Sequence, residues 1–267
     1  MGADIKSLRN RIKSVDSTLH LTKAMGLVAS SKIRRATDAM NKGRQYSDAV
    51  TKTVDALTLC PECIKSPYMR MSSGERVCLI VIAGDRGLAG GYNANVFRLV
   101  AAMPKGDIIP IGKRAYDRFG GTLLLAEGFT YGDAISISNM LCKAFCEGKY
   151  DRVGIVCTKY VSMLTQEAMV KWVLPLEKKE GAENRGVIFE PDELTILNAA
   201  IPEYVAGVLV HSVRESFASE VAARRCAMDS AGKNAQQMID DLQLDYNRAR
   251  QGAITQEITE IVAGSGM

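Results

Sequence analysis

The sequence predicts an α/β protein: a long antiparallel coiled coil of the N- and C-terminal helices plus a Rossmann-like α/β globular domain formed by the chain between them. Three observations carry this prediction. They are an apolar 3.5-residue repeat at the N-terminus, a proline-free helical pattern at the C-terminus, and alternating strand and helix patterns in the middle. We expect the segments to be 1–57, 58–203 and 204–267.

The N-terminal helix is predicted from apolar or small residues that recur at alternating steps of three and four. Such a repeat keeps one face toward a partner only when the helices supercoil left-handedly, so about Asp4 to Leu57 is predicted to be one coiled-coil helix. At 1.5 Å per residue it would be roughly 80 Å long. Its seam comprises Ile5, Leu8, Ile12, Val15, Leu19, Thr22, Gly26, Ala29, Ile33, Ala36, Met40, Gly43, Ser47, Val50, Val54 and Leu57.

The partner of this helix is expected at the other end of the chain. Helix-forming residues dominate from about Glu203 to Val262, and no proline follows Pro202. Because ordinary globular helices seldom exceed about 25 residues, length favours an antiparallel pair over two separate core helices. The residues predicted to face the partner are Met228, Ala231, Ala235, Met238, Leu242, Tyr246, Ala249 and Ala253.

Strand and helix patterns alternate in the middle of the chain, which predicts a mainly parallel sheet. The predicted strands are Val77–Ala83, Ile108–Ile111, Arg152–Thr158 and Ala168–Pro175, with a strand-like segment at Gly186–Glu190. The predicted helices are Asn93–Met103, Lys113–Phe119 and about Asp133–Glu147.

A glycine-rich turn follows the first predicted strand and raises the question of nucleotide binding. Its spacing, G-x-x-G-x-x-G-G from Gly84 to Gly91, matches neither the dinucleotide fingerprint nor the P-loop, and no matching lysine follows. We therefore interpret the glycines as residues of a tight turn, in which Asp85 and Arg86 form a local ion pair or a surface contact. No other catalytic motif stands out.

The seven cysteines predict reduced thiols, because their number is odd and the chain is far longer than disulfide-stapled domains. Cys60 and Cys63 form a lone C-x-x-C without a second ligand pair at useful spacing, so we expect no essential zinc site there. Cys142 and Cys146, one helical turn apart, are expected to face the core. We predict no cofactor.

Composition and charge bound the class of protein. The chain has 267 residues, 47% of them hydrophobic, and a net charge of +4. Disorder is excluded as the main state, and the charge is too small to predict wholesale nucleic-acid binding. No apolar run approaches the roughly 18 residues of a membrane span, and no targeting signal is evident. Residues 1–57 carry 11 Lys/Arg against 5 Asp/Glu. We therefore expect the surface that surrounds this helix to be acidic or polar.

Three blocks of sequence resemble the gamma subunit of F-type ATP synthases of the bacterial type. The first lies between Ile12 and Lys32, and the second is Asp85–Asn93, read as DRGLAGGYN. The third combines Tyr246–Gln251 with Ile254–Val262 and is the most specific. Together the blocks extend the resemblance over essentially the whole chain. The sequence departs from the family at Ala89, where the family often has cysteine, and in its altered tail.

The resemblance implies a noncatalytic rotor. In the family, the coiled coil stands inside a ring of three alpha and three beta subunits, and the globular domain contacts the epsilon subunit and the membrane-embedded c-ring. The complex makes or hydrolyses ATP, and the implied location is the cytoplasmic face of the bacterial plasma membrane, as a peripheral protein. The alternative is a nucleotide- or metal-dependent α/β enzyme with a helical dimerisation arm.

The resemblance also implies roles for individual residues. Residues matching those that touch the catalytic beta subunits are Lys23, Met25, Arg250, Gln251, Thr255 and Glu257. An apolar bearing at the tip is implied for Ile254, Ile258, Ile261 and Val262, for which a fraying helix end is the alternative. Phe189 and Glu190 match the foot that meets the c-ring and epsilon. Proton or sodium coupling, and the net direction of the reaction, are left open.

Overall fold

The structure, a computed structural model, describes residues 2–72, 74–178 and 189–265, with side chains from residue 5 onward. By its internal contacts the chain forms two compact units. One comprises Met1–Ser30 with Arg224–Met267, and the other comprises Ser31–Ala223. The predicted three-segment division remains a prediction.

The two long helices are α1, Gly2–Thr58, and α5, Glu193–Gly264. The prediction for α1 is accurate to two residues at its start and one at its end, whereas α5 begins ten residues before the expected start at Glu203. Asp192 explains the early start, because its carboxylate accepts hydrogen bonds from the backbone N–H and the hydroxyl of Thr195, at 2.9 and 2.8 Å. Pro202 lies inside the helix, where its ring removes one backbone hydrogen bond without ending it.

Between them lies a four-stranded sheet with the order β2-β1-β3-β4. The strands are β1 (Val77–Ile82), β2 (Asp107–Ile111), β3 (Arg152–Tyr160) and β4 (Gln166–Leu174). Strand β1 pairs in parallel with β2 and β3, and β4 pairs antiparallel with β3, so the prediction of a mainly parallel sheet is confirmed. The predicted segment Gly186–Glu190 lies outside the described residues except for its last two.

Both faces of the sheet are covered, which is why every residue of β1 is buried. Val77, Leu79 and Val81 face helices α2 (Tyr92–Ala101) and α3 (Lys113–Phe119). Cys78, Ile80 and Ile82 face the larger core, which includes α4 (Tyr131–Cys146), the last turns of α1 and the first half of α5. Short 3-10 turns at Pro61–Lys65 and Pro67–Met69 follow α1.

One stretch of α5 is long and apolar enough, by length and composition alone, to cross a membrane. Its 18-residue window has a mean hydropathy of 1.4, and 61% of that window is buried inside the protein. Burial of this extent is typical of a core helix in a water-soluble protein. We therefore interpret the stretch as the part of α5 that packs on the sheet.

Candidate contact surfaces on the terminal helices

The unit formed by the two chain ends is held together by the predicted seam. Leu19 of α1 forms a buried cluster with Ala235 and Ile239 of α5, and Ile12 and Val15 are half-buried against it. The remaining seam positions of α1 from Ile5 to Leu57 are also buried or half-buried. The 3.5-residue repeat therefore marks the side of α1 that is turned away from solvent.

Two close approaches give the register of the pair. A Cβ on Gly26 would lie 3.6 Å from the Cβ of Met228, and a Cβ on Gly232 would lie 3.6 Å from the hydroxyl of Thr22. The two residue numbers of each pair add up to 254, so α1 and α5 run antiparallel. Gly2 is then level with residue 252, and the last turns of α5 extend past the described start of α1.

The sequence placed part of the α5 seam one residue too early. Met238 is 45% exposed, whereas Ile239 is buried, and Gly232 lies at the α1 contact beside Ala231. The seam of α5 alternates steps of four and three without a break, whereas the predicted seam took two consecutive steps of four, from Met238 to Leu242 and from Leu242 to Tyr246. Its members are Met228, Gly232, Ala235, Ile239, Leu242, Tyr246, Ala249 and Ala253.

The glycines of the seam leave a groove of about 530 Å³ between α1 and α5. Its floor includes Gly26 and Gly232, and Lys23, Arg225 and Lys233 line it as cations. Lys233 is paired with Asp229 at 2.9 Å. The groove is a concave, positively charged feature on an otherwise convex helix pair.

The six predicted beta-subunit contacts fall into two separate groups. All are exposed except Met25, which is half-buried. By the register of the pair, Lys23 is level with residue 231, roughly 30 Å along α5 from Arg250. Lys23 and Met25 are thus one group, and the four residues of α5 are the other. Within the second group the Thr255 hydroxyl donates to the Gln251 carbonyl at 2.9 Å, which fixes its rotamer.

The last turns of α5 carry an exposed apolar stripe. Ile254, Ile258, Ile261 and Val262 are between 47% and 69% exposed. At 100° per residue the three isoleucines lie within about 60° of one another, on a different side of α5 from Ala249 and Ala253 of the seam. The four residues extend beyond the described part of α1, which explains their exposure. A fraying end would not require this alignment.

The two predicted foot residues differ in environment. Phe189 is half-buried and packs against the larger core, whereas Glu190 is exposed. The aromatic ring therefore fixes the chain to the α/β unit immediately before α5, and the carboxylate points into solvent. Their assignment to a partner contact remains a prediction.

The glycine-rich turn is organised around Asp85. Its carboxylate accepts hydrogen bonds from the backbone N–H groups of Lys113, Ala126 and Glu127, at 3.1, 3.0 and 2.8 Å. Arg86 pairs instead with Glu127, at 3.8 Å. The Asp85 carboxylate thus accepts three converging N–H donors, and Arg86 makes a contact at the surface, the second of the two alternatives expected for this pair.

The position where an α/β sheet would bind a nucleotide is occupied by α5. Ligands of such sheets bind outside the carboxyl ends of the strands, where neighbouring crossovers diverge, here between β1 and β3. The side chain of Glu220 lies against the turn after β1, because a Cβ on Gly84 would be 2.8 Å from its carboxyl carbon. Glu220 is only 2% exposed. The Glu220 side chain therefore fills the space beside Gly84 in which a phosphate would have to lie, which argues against the nucleotide-enzyme alternative.

Four of the seven cysteines are buried: Cys63, Cys78, Cys142 and Cys157. All seven are free, and Cys142 is buried as predicted while Cys146 is exposed, because one helical turn carries it past the edge of the core. Burial raises the pKa of Cys63 to about 11, so its thiolate is scarce near neutral pH. Within the described ranges no group of three or more metal-ligating side chains occurs. The absence of zinc at Cys60 and Cys63 stays a prediction.

Sequence reasoning missed a buried polar face on α5. Six polar side chains within ten residues are less than 9% exposed: His211, Ser212, Glu215, Ser216, Ser219 and Glu220. The signal was present, because a helix that packs on a sheet normally turns apolar residues toward it. Here serine and glutamate occupy those positions.

Comparisons with known proteins show the family of this chain. A sequence model described as ATP synthase matches residues 4–266. The chain is 41% identical over 281 aligned residues to the ATP synthase gamma chain of Ruminococcus albus, covering 98% of each chain.

Solved structures share the fold. One is a chain of the Euglena gracilis mitochondrial ATP synthase (OSCP/F1/c-ring, rotational state 3), with a TM-score of 0.73, 20% identity, and coverage of 98% of this chain and 94% of that chain. Another is from the Tetrahymena thermophila mitochondrial ATP synthase (central stalk/c-ring), with a TM-score of 0.60, 18% identity, and coverage of 79% and 99%. The fold prediction is therefore confirmed. With a family match over nearly every residue and a curated gamma chain at 41% identity, the chain belongs to the ATP synthase gamma-chain family.

Proposed function

We propose that this chain is the rotating central stalk of an F-type ATP synthase, a noncatalytic subunit that couples rotation of a c-ring to ATP synthesis or hydrolysis in a ring of alpha and beta subunits. The observation that supports it most is the pairing of α1 with α5 along one seam in a chain 41% identical to a gamma chain. The seam leaves the other helix faces free for partners.

The helix pair suits the transmission of torque for two physical reasons. A supercoiled pair packed along a continuous seam resists twisting better than a single helix does. The exposed surface is also uneven, with a cationic groove near Lys23 and an apolar stripe near Ile258. The three beta subunits around it each meet a different surface, so each rotation changes their relative nucleotide affinities.

The contacts with the beta subunits are assigned to the two exposed groups. Arg250 and Gln251 present charged and amide donors, and Thr255 and Glu257 lie on the following turns. Charge-assisted hydrogen bonds of roughly 1.5–3 kcal/mol bias a conformation and still release as the rotor turns. Lys23 and Met25 act as a second contact, roughly 30 Å away along the pair. Ile254, Ile258, Ile261 and Val262 serve as the apolar bearing.

The epsilon subunit and the c-ring are proposed to contact the α/β unit. We assign Phe189 and Glu190 to the contact with the epsilon subunit and the c-ring. We further propose that this chain lies at the cytoplasmic face of the bacterial plasma membrane, as a peripheral component of an ion-transporting complex. The segments 1–57, 58–203 and 204–267 are proposed as its functional divisions.

Reconstitution of the complete complex in vesicles, with alpha, beta and epsilon subunits and the c-ring, tests the contact residues. Arg250→Ala and Gln251→Leu should lower ATPase turnover or assembly while the chain stays folded, because the donors to the beta subunits are lost. Met25→Lys should lower ion pumping per ATP by adding an ion pair. Gln243→Leu, an exposed change on the same helix, is the matched control. Normal ATPase rates and pumping in all three variants would reject the assignment.

Calorimetry on the isolated chain separates the rotor from the enzyme alternative. Titration with magnesium-ATP should give weak binding or none, because Glu220 lies where phosphate would bind. Micromolar binding would favour the enzyme.

A further inference from the structure

The buried polar face of α5 forms directional bonds with the end of β3. The backbone N–H of Thr158 donates to the Ser216 hydroxyl at 3.0 Å, and the Ser219 hydroxyl donates to the Thr158 carbonyl at 3.2 Å. Ser216 and Ser219, one helical turn apart, thus satisfy both backbone groups of one strand residue. A neighbouring strand would satisfy them in the same way.

A second hydrogen bond connects the same turn of α5 to helix α2, which follows the carboxyl end of β1. The Tyr92 hydroxyl, at the start of α2, donates to the Ser216 carbonyl at 3.1 Å. Glu220 lies one turn further, against the turn after β1. Burial, with a smaller contribution from the Glu220 carboxylate, raises the pKa of Tyr92, so the phenol stays a donor.

A third connection is ionic and lies on the turn before. Glu215 is 3% exposed and lies within 4 Å of three cationic or titratable groups from three elements. Lys171 of β4 is 3.0 Å away, Arg44 of α1 is 3.7 Å away and His211 is 3.7 Å away. A single carboxylate therefore joins α1, α5 and the edge strand.

We propose that Ser216, Ser219 and Glu215 are positioning residues that fix the rotation of α5 about its own axis relative to the sheet, so that torque passes between them without slip. Hydrogen bonds weaken steeply with misalignment, so they fix the angle of α5 more narrowly than the close-packed apolar contacts do alone. Small serines bring the backbones close, and their bonds specify one angle. The inference rests on the proposed function as a rotor.

The test measures torsional stiffness in the assembled complex. The full chain is assembled with its alpha and beta subunits, the rotor is arrested with a nonhydrolysable ATP analogue, and a bead on an exposed residue of the α/β unit reports angular fluctuation. Ser216→Ala with Ser219→Ala should raise the angular variance about twofold or more, because both directional bonds to Thr158 are lost. The thermal melting of the chain is recorded in parallel.

Controls separate positioning from stability. Ser230→Ala, on the exposed side of α5, should leave the variance unchanged. If the double variant does not fold, each single variant and Glu215→Gln are measured instead, and each should raise the variance by a smaller factor. Unchanged variance in folded variants overturns the inference, even where melting falls. Failure of the unaltered chain to assemble or to turn overturns the proposed function instead.

Discussion

Asp85 shows how a single residue can account for a motif that resembles a nucleotide site. Its three N–H donors come from the start of α3 and from the loop at Ala126 and Glu127. The carboxylate thus closes the turn by drawing two segments toward it. Within the turn from Gly84 to Gly91, two residues have a left-handed backbone: Gly90, with a φ of 57°, where glycine costs least, and Leu88, with a φ of 60°.

Replacing Asp85 by alanine should destabilise the α/β unit by about 2–3 kcal/mol, because three backbone donors lose their acceptor. Asparagine should cost less, since it retains one acceptor oxygen. Urea unfolding followed by circular dichroism measures both. Asp117→Ala, an exposed carboxylate on α3, is the control and should change little. Equal stability of the two alanine variants would contradict the role of Asp85.

His211 gives the fold a pH dependence whose sign can be stated. Burial lowers its pKa below the ordinary 6.5, and the nearby Lys171 and Arg44 lower it further, against Glu215 and Asp48, which raise it. The folded state therefore disfavours the protonated ring. The contribution of neutral His211 to the free energy of unfolding is fully present above about pH 6.5. It decreases as the pH falls below that value, because the unfolded chain then binds a proton that the folded chain does not.

The free energy of unfolding measured between pH 5 and 8 should consequently fall on the acid side. In His211→Gln this fall should be smaller, because glutamine does not titrate. Parallel curves for the two proteins would show that another group carries the dependence.

At the scale of elements, the seam of α1 was predictable from the sequence, whereas the exact seam residues of α5 and its first residue were not. The period of α1 is set by local spacing, so the sequence alone identified Leu19 and Val54 as turned from solvent. The choice of Ile239 over Met238 depends on where α1 lies, which no local pattern of α5 contains. The early start of α5 was missed because Pro202 suggested a boundary, whereas Asp192 supplies the cap.

Two leucines two residues apart test the seam. Leu19 is 4% exposed and Leu21 is 59% exposed, on the same helix. Leu19→Ala should cost about 2–4 kcal/mol, because it removes buried side-chain atoms and leaves a cavity. Leu21→Ala should stay within about 0.5 kcal/mol. Thermal or chemical unfolding of both variants is the measurement, and similar losses in the two would show that the seam is misassigned.

At the scale of the whole molecule, the sequence predicted the fold class and the family. It could not predict the contacts that the buried polar face of α5 makes with the sheet. Ser216 and Glu215 look unremarkable in a helical stretch, and their meaning depends on Thr158 and Lys171, which lie more than forty residues away in the chain. The contact residues on the free helix faces are of another kind. Their partners are other chains, so they follow from family resemblance and exposure together.

Rotation of this chain inside its complex is the property that defines a noncatalytic rotor. A bead is attached to the α/β unit in a complex of this chain with alpha and beta subunits fixed to a surface, and the angle is recorded under ATP. If the chain is the rotor, the bead should rotate continuously in one direction and stop when ATP is withdrawn, and the chain alone should hydrolyse no ATP. An ATPase-active complex whose bead never rotates, or ATP hydrolysis by the isolated chain, would contradict it.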